Sequence, residues 1–353
     1  MKHIDRQILQ IALPSIVSNI TVPLLGLIDV AIVGHLGSPA YIGAIAVGGM
    51  LFNIIYWIFG FLRMGTSGMT SQAYGKRDLP EIVRLLMRSV GIGLAVALCL
   101  ILLQVPIRQT AFLIIHPTAE VREMATLYFH ICIWGAPAML GLYGLSGWFI
   151  GMQNSRIPMY IAITQNIVNI IASLSFVCFF KMKVEGVAFG TLIAQYAGFI
   201  MGLVLWMSRY GKLKKYILWK GVLQKEAMMR FFQVNRDIFL RTLCLVTVTL
   251  FFTSAGASQG EIILAVNTLL MQLFTLFSYV MDGFAYAGEA LSGRYIGARN
   301  RKAFTNTTRH LFIWGGWLAA FFTLVYALGG NAFLGLLTDN KDVVSAAGTY
   351  FYW

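Results

Sequence analysis

Four charged side chains lie inside long apolar segments of the sequence, where ionisable groups are rare. Asp29 lies in the first such segment and Arg63 in the second, while Asp282 and Glu289 share a later one. On insertion scales each intramembrane charge costs about 2.5 to 3.5 kcal/mol, so four cost on the order of 10 kcal/mol, comparable with the net stability of an ordinary domain. A carboxyl group removed from water is also protonated more easily. These residues are therefore candidates for a functional role, and Asp29 is a candidate for binding a proton or another cation.

The first apolar segment carries small and polar residues at helical spacing: Ser15, Asn19, Val22, Gly26 and Asp29. Residues three and four apart share one face of a helix, so these five form a stripe. Pro23 lies about two turns before the carboxylate, where it removes a backbone hydrogen bond. We predict that Pro23 is a conformational hinge for the part of the helix that carries Asp29.

A second stripe consists of Asn53, Tyr56, Gly60, Arg63 and Ser67. A shift of 222 residues moves this stripe onto a comparable set in a later segment: Thr275, Ser278, Asp282, Ala285 and Glu289. Two equivalent polar faces are expected to flank a central cavity. We predict that seven residues line it: Asn53, Tyr56, Arg63, Gln195, Asp282, Tyr286 and Glu289. The alternative for the charged members is an ion pair inside the bundle.

Amides and hydroxyls occupy one face of the fifth apolar segment and part of the sixth. The fifth contributes Asn166, Asn169 and Ser173, and the sixth contributes Thr191 and Gln195. These groups could hydrogen-bond the carboxyl group of Asp29 and so complete a proton or cation site. They could equally form hydrogen bonds that only hold the helices together.

The composition predicts an all-α polytopic membrane protein. Hydrophobic residues make up 58% of the 353 residues and charged residues only 12%, against roughly 25% charged in soluble proteins. Segments long enough to cross a bilayer predict nine complete membrane spans. A tenth begins near Val343, so the chain is predicted to contain about nine and a half spans. The nine are 8–34, 40–72, 83–107, 124–151, 158–180, 186–208, 237–257, 262–292 and 309–329.

The net charge of +13 does not predict a nucleic-acid partner, because lysine and arginine are concentrated in short polar segments after the second, sixth and eighth spans. This positive-inside pattern predicts a cytoplasmic N-terminus and contact with membrane lipid through anionic headgroups. The longest basic segment, 211–231, is expected to be a cytoplasmic connector. It could form an amphipathic helix on the membrane or a solvated linker.

An internal repeat organises the chain. Residues 65–78 read GTSGMTSQAYGKRD and residues 287–300 read AGEALSGRYIGARN, so Gly75 matches Gly297 at a shift of 222. The same shift places Glu120 on Asp342. The repeat predicts two six-helix lobes in parallel orientation. Residues 1–210 would form the first lobe, 211–231 the connector, and 232–353 a second lobe that is incomplete in this chain.

Motifs of enzyme chemistry were sought in the sequence. It contains no HExxH, no paired-aspartate metal motif and no glycine-rich phosphate loop, and its five histidines are scattered. These patterns are what metal-dependent and nucleotide-dependent catalysis requires. We therefore predict that the chain is not an enzyme and uses no cofactor and no metal.

Five stretches of the sequence closely resemble the multidrug and toxic compound extrusion (MATE) transporters, and in particular their DNA-damage-inducible protein F (DinF) branch. These are IDVAIVGHLGSPAYIGAIAVG (28–48), FLRMGTSGMTSQAYGKRD (61–78), NIVNI (166–170), VEGVAFGTLIAQY (184–196) and MDGFAYAGEALSGRYIGARN (281–300). The resemblance implies twelve helices in two six-helix lobes that alternate between inward-open and outward-open states. It also implies that entry of a proton or a sodium ion drives drug efflux.

The resemblance assigns roles to single residues. Asp29 matches the first-helix aspartate whose protonation is proposed to bend that helix at its proline, here Pro23. Asn169 and Thr191 match its polar partners on the fifth and sixth helices. Ser173 stands where the family commonly has a second aspartate, which favours a proton switch at Asp29 over a two-acid cation site. Because the family has twelve helices, we expect this chain to stop before the last three are complete. We also expect the full-length protein to be a monomer.

The sequence thus predicts a cation-coupled antiporter, with a proton as the coupling ion, that exports amphipathic or cationic organic compounds across the bacterial inner membrane. One alternative is a flippase for lipid-linked oligosaccharides, which would need a strongly cationic cavity for a pyrophosphate group; Arg63 is the one clear candidate for it. Another is a membrane enzyme or scaffold that transports nothing.

Overall fold

Helices are the only regular elements in the described part of the chain, as lipid requires, because a bilayer offers no partner for free backbone N–H and C=O groups. A computed structural model describes residues 2–34, 38–217, 219, 221–258 and 261–337. The predicted all-α membrane fold is confirmed. The helices are α1 (Lys2–Gly34), α2 (Pro39–Ile58), α3 (Phe61–Lys76), α4 (Leu79–Leu102), α5 (Gln104–Ile115), α6 (Ala119–Cys132), α7 (Ala136–Gly151), α8 (Arg156–Cys178), α9 (Val184–Tyr210), α10 (Lys225–Ser258), α11 (Glu261–Gly297) and α12 (Arg301–Leu337).

Eight stretches of helix in the described residues are long and apolar enough to cross a membrane. Six of them correspond to the first six predicted spans, and the other two lie on α11 and α12. The predicted span 237–257 lies on α10, which is not among the eight and carries Arg236, Asp237 and Arg241 in its first half. The predicted start of a further span near Val343 lies outside the described residues.

The second predicted span, 40–72, is two helices and not one. Helix α2 ends at Ile58 and α3 begins at Phe61, with Phe59 and Gly60 forming the turn between them. Helix α3 ends where Arg77 adopts a left-handed conformation, with φ of 59°. Asp78 then caps α4, because its carboxylate accepts a hydrogen bond from the Glu81 amide at 3.1 Å, as N-cap aspartates do.

The first nine helices pack around one large aromatic and aliphatic core. Its largest members include Trp148, Phe129 and Phe149, none of which is exposed. The Trp148 indole N–H donates to the Ile82 carbonyl at 2.9 Å, so its polar atom is satisfied inside the core. Large apolar side chains also cover the outside of the bundle, among them Leu102, Leu113 and Ile114. This surface suits lipid and not water.

Helix α11 joins the later helices to the first ones through α1 and α3. A small second core holds Ile8 and Ala12 of α1 against Ala287 and Leu291 of α11. Near the ends of α3 and α11 the two backbones touch. A Cβ atom on Gly75 would overlap the Arg294 carbonyl, and one on Gly297 would overlap the Gln72 carbonyl.

These two glycine contacts are reciprocal. Gly75 and Gly297 lie 222 residues apart, as do Gln72 and Arg294, so each contact is the other one shifted by the period of the sequence repeat. A parallel repeat related by a two-fold axis along the membrane normal would place equivalent residues in this way. The division into two six-helix lobes itself stays a prediction.

The predicted connector, 211–231, is not one continuous helix. It begins with a short 3-10 helix, Gly211–Tyr216, and α10 begins only at Lys225. Between them Arg88 of α4, which is almost fully buried, donates to the carbonyls of Val222 at 2.7 Å and Gly221 at 2.8 Å. The connector is therefore fixed to the first helices by hydrogen bonds to its backbone.

Replacing Gly75 with Ala should destabilise the protein, because the new methyl group would push α3 away from the α11 backbone. Overpacking of this kind costs about 1 to 3 kcal/mol of unfolding free energy. Gly68→Ala on the same helix is the control, since nothing lies within 4 Å of its Cβ position and alanine favours helix. The melting temperature in detergent should fall for Gly75→Ala and hold or rise for Gly68→Ala. Equal melting temperatures would contradict the close crossing.

Candidate ion and substrate sites

Asp29 lies on α1, on the side of that helix that is buried against its neighbours. Only 4% of the residue is exposed. Its Oδ2 atom accepts a long hydrogen bond, 3.5 Å, from the hydroxyl of Thr191 on α9. Its Oδ1 atom is also buried and has no hydrogen-bond partner among the described residues. Thr191 thus holds the carboxyl group in place, but one long hydrogen bond compensates poorly for the loss of water around it.

Thr191 links this carboxyl group to α8. Its hydroxyl oxygen accepts a hydrogen bond from the Asn169 amide at 3.1 Å while its proton is directed to Asp29. Asn169 is fully buried and Thr191 is 8% exposed. The structure therefore brings together three of the predicted ion-site residues in one hydrogen-bonded chain across α8, α9 and α1.

The other two predicted ion-site residues behave differently. Ser173 lies one turn beyond Asn169 and is fully buried against Gly190 of α9, whose missing side chain makes room for its hydroxyl. Asn166 donates to the Ala162 carbonyl of its own helix at 2.8 Å. Its amide group is therefore not part of the chain that leads to Asp29.

Aromatic side chains cover the same region from α2, α6 and α7. Tyr56 is buried, stacks on Phe52 with ring centroids 5.7 Å apart, and meets Tyr143 edge-on at 6.4 Å. Tyr128 packs against Phe52 from α6 at 6.4 Å and lies close enough to Asp29 to interact electrostatically. Tyr128 was not predicted, because no stripe of polar residues was identified on its span, 124–151.

A second group forms where α1, α3 and α11 meet. The guanidinium of Arg63 lies over the ring of Tyr286, 3.9 Å from its centroid. The Tyr286 hydroxyl donates to the side-chain oxygen of Asn19 at 3.4 Å, and the Asn19 amide donates to the Tyr279 carbonyl at 3.2 Å. Arg63 makes no ion pair within 4 Å in the described part of the chain, so a cation–π contact takes the place of the ion pair considered as the alternative.

Two carboxylates lie near Arg63 on α11. Glu289 is partly buried, and its Oε2 atom has no hydrogen-bond partner among the residues that the structure describes. Asp282 is exposed, and both acids interact electrostatically with Arg63 and with Arg241 of α10. Arg241 was not among the predicted residues, although a charge five residues into the predicted span 237–257 could have identified it. This group contains two cations and two acids.

Three predicted residues form no hydrogen bond with either group in the described part of the chain. Pro23 and Asn53 are exposed. Gln195 is partly buried and packs against Gly135, where a Cβ atom would overlap its side-chain oxygen. A groove of about 500 Å³ runs along the start of α1 between Asp5 and Pro14, but at a rise of 1.5 Å per residue its nearest point is about 22 Å from Asp29.

One family model and several known proteins match most of this chain. The MatE family model matches residues 14–174 and 238–353. The DNA damage-inducible protein F of Escherichia coli K12 is 37% identical over 353 residues, covering 99% of this chain and 76% of that protein. Protein DETOXIFICATION 45, chloroplastic, of Arabidopsis thaliana is 24% identical and is matched over 97% of this chain but 64% of its own length.

The fold is shared with solved structures. A crystal structure described as MATE in the bent conformation has a TM-score of 0.89 at 20% identity, with 98% of this chain and 77% of that chain covered. The chain described here therefore spans about three quarters of the E. coli relative and of this structural neighbour, and less than two thirds of the Arabidopsis relative.

Replacing Asn169 with Ala should lower the stability of the first helices. The change removes the amide that Thr191 depends on and leaves a buried polar group unsatisfied, which costs about 1 to 3 kcal/mol. Asn166→Ala is the matched control on the same helix, because its amide bonds only to its own backbone. Melting temperatures of the two purified variants in detergent measure the difference. Equal losses would show that the chain to Asp29 is not a structural unit.

Proposed function

The chain belongs to the multidrug and toxic compound extrusion (MATE) family of efflux transporters, and from this premise we propose that it exports amphipathic or cationic organic compounds in exchange for protons. The protein is a multi-span membrane protein of bacterial MATE type. We propose that it lies in the bacterial inner membrane with a cytoplasmic N-terminus, as the positive-inside pattern favours.

The observation that carries the proton proposal is the poor compensation of the Asp29 carboxyl group. It is almost fully buried, accepts one long hydrogen bond, and has no cation within 4 Å in the described residues. A charge in such surroundings is costly, so protonation lowers the cost of burial. A cation site would need several oxygen ligands around the ion, and Ser173 supplies a hydroxyl at the position where the family resemblance implies a second carboxylate.

Helix α1 is suited to transmit a change at Asp29 because it contacts two sets of helices. Before Pro23, Ala12 and Ile16 pack against Gly283 of α11, and Asn19 bonds to α11. After Pro23, Asp29 contacts α9. Because a proline weakens the helix between these two regions, we propose that proton uptake at Asp29 changes the bend of α1 at Pro23 and moves α11 relative to the first helices.

We propose that the group around Arg63 lines the substrate cavity, together with Asn53, Tyr56, Gln195, Asp282, Tyr286 and Glu289. Aromatic rings and two carboxylates near one another suit an organic cation, which gains both cation–π and charge interactions. A flippase for lipid-linked oligosaccharides would need a strongly cationic cavity. Both arginines of this group face carboxylates, and no observation favours that function.

The free energy that proton entry supplies for export depends on the charge of the substrate. Each proton that enters releases about 2.3 kcal/mol of free energy per 100 mV of membrane potential. Each tenfold concentration gradient against which the substrate is exported costs about 1.4 kcal/mol. A monovalent cation that leaves in exchange for one proton cancels the electrical contribution. For such a substrate only the pH difference drives export.

Asp29→Asn should abolish export driven by a pH gradient, because the amide cannot take up a proton. Purified protein in proteoliposomes, with transport of a fluorescent organic cation followed under an imposed pH gradient, measures this directly. Asp237→Asn is the matched control, since Asp237 is exposed and, among the described residues, pairs only with its neighbour Arg236. Export that persists in Asp29→Asn would refute the assignment, and export that follows a sodium gradient without a pH gradient would show that sodium is the coupling ion.

An imposed membrane potential should separate two classes of substrate at a fixed pH gradient. With one proton exchanged per substrate, export of a neutral compound moves net charge and should accelerate with an inward-directed potential. Export of a monovalent cation moves none and should be unchanged. Initial rates with and without a potassium diffusion potential test this, and a cation whose export accelerates would require more than one proton per cycle.

A further inference from the structure

We propose that the segment joining α9 to α10 is a binding surface for anionic phospholipid headgroups of the leaflet it faces. The surface consists of Lys212, Lys214, Lys215, Trp219, Leu223, Lys225 and Arg230. It is independent of the proposed transport function, because none of these residues belongs to either polar group inside the bundle.

Positive charge is concentrated on this surface. Lys212, Lys214 and Lys215 are exposed on the short 3-10 helix, and Lys225 and Arg230 are exposed at the start of α10. Glu226 is the one acid in the printed sequence from Arg209 to Arg230. None of the five cations forms an ion pair within 4 Å with a described residue. Their charge is therefore available to an external anion.

Large apolar side chains lie among these cations. Trp219 is 77% exposed and Leu223 is 74% exposed. Tryptophan is enriched where membrane proteins meet the headgroup layer, and exposed apolar residues beside cations are typical of surfaces that lie on a membrane. A lone soluble anion such as phosphate would not use them. A phospholipid offers both a phosphate group and acyl chains.

The backbone beneath the surface is held in place. Arg88 binds the carbonyls of Gly221 and Val222 and also pairs with Glu81 at 2.5 Å. Gly221 has a φ of +94°, a conformation that other residues rarely adopt, and the Val222 side chain is only 2% exposed. Residues 221–223 are thus fixed, with Val222 directed inward and Leu223 exposed, so a lipid would bind a preformed surface there.

The position of the segment fits this partner. It joins the end of one membrane helix, α9, to the start of α10, so it lies at the end of the bundle where helices leave the bilayer. Tyr210, the last residue of α9, packs edge-on against Trp148 at 4.9 Å and holds the segment against the bundle. Nucleic acid would also attract the lysines, but it offers no apolar layer for Leu223.

Quenching of Trp219 by brominated lipids tests the proposal. Purified protein is reconstituted in phosphatidylcholine vesicles that contain a fixed fraction of either brominated phosphatidylglycerol or brominated phosphatidylcholine. The fluorescence of the Trp219→Phe variant is subtracted to isolate Trp219. We expect stronger quenching by the brominated phosphatidylglycerol, because that lipid gathers at the lysines, and a weaker preference at high salt.

Charge removal supplies the second arm. Lys212→Gln, Lys214→Gln and Lys215→Gln together should remove the preference for phosphatidylglycerol, at about fivefold in apparent affinity for each lysine. Lys181→Gln with Lys183→Gln is the control, because these two lysines are exposed at the opposite end of α9 and should leave the preference unchanged. If the triple variant fails to reconstitute, Lys214→Gln alone should show the fivefold loss.

Three results would overturn the proposal. Equal quenching by the two brominated lipids would show that the surface has no charge preference. Loss of the preference in millimolar inorganic phosphate, at matched ionic strength, would identify a free-anion site. Displacement of the brominated phosphatidylglycerol by an added oligonucleotide would identify a nucleic-acid surface instead.

Discussion

The absence of water inside a bilayer is the constraint on which this structure depends. Backbone groups can be satisfied only within helices, so almost every described residue in the apolar segments is helical. A polar side chain can bond within its own helix, as Asn166 does, or to another helix, and pairings of the second kind join helices to one another. Asn169, Thr191 and Asp29 connect three of them. Arg63, Tyr286 and Asn19 connect α3 and α11 to α1, and Arg88 fixes the connector. The same contacts that satisfy polar atoms thus define the architecture.

Helix α1 occupies the position where these constraints combine. Its first part packs against α11, and its later part carries Asp29 against α9, with Pro23 between them. The close crossing of α3 and α11 at Gly75 and Gly297 holds the two sets of helices together near one end. A change at Asp29 therefore acts on a helix whose two parts have different neighbours. This arrangement gives the proposed proton switch a physical route to the substrate group around Arg63.

The residues that form the hydrogen-bonded chain to Asp29 were easier to predict from the sequence than the contacts of the residues around them. Helical spacing selected Asp29, Asn169 and Thr191, and the family resemblance linked them. Spacing also grouped Asn166 with Asn169. The Asn166 amide instead donates to the Ala162 carbonyl of its own helix, because that carbonyl, one turn away, is within reach of the side chain. Arg63 was expected to line a cavity or to form an ion pair; its contact with Tyr286 follows from how α3 and α11 cross. Arg241 could have been selected as a charge inside the predicted span 237–257, but its proximity to Asp282 and Glu289 depends on how α10 and α11 lie side by side.

The sequence by itself determined that the protein lies in lipid, that it is helical and which family it belongs to. The length of apolar segments, the distribution of charge and the order of motifs can all be read along the chain without knowing any contact between distant residues. It also identified the charged residues whose burial in lipid would be costly. Only the tertiary structure decided which oxygen of Asp29 has a partner, that 40–72 breaks at Phe59 and Gly60, and that Gly75 and Gly297 meet the opposite helix reciprocally. Those outcomes depend on distances between residues far apart in sequence, which periodicity along one helix cannot specify.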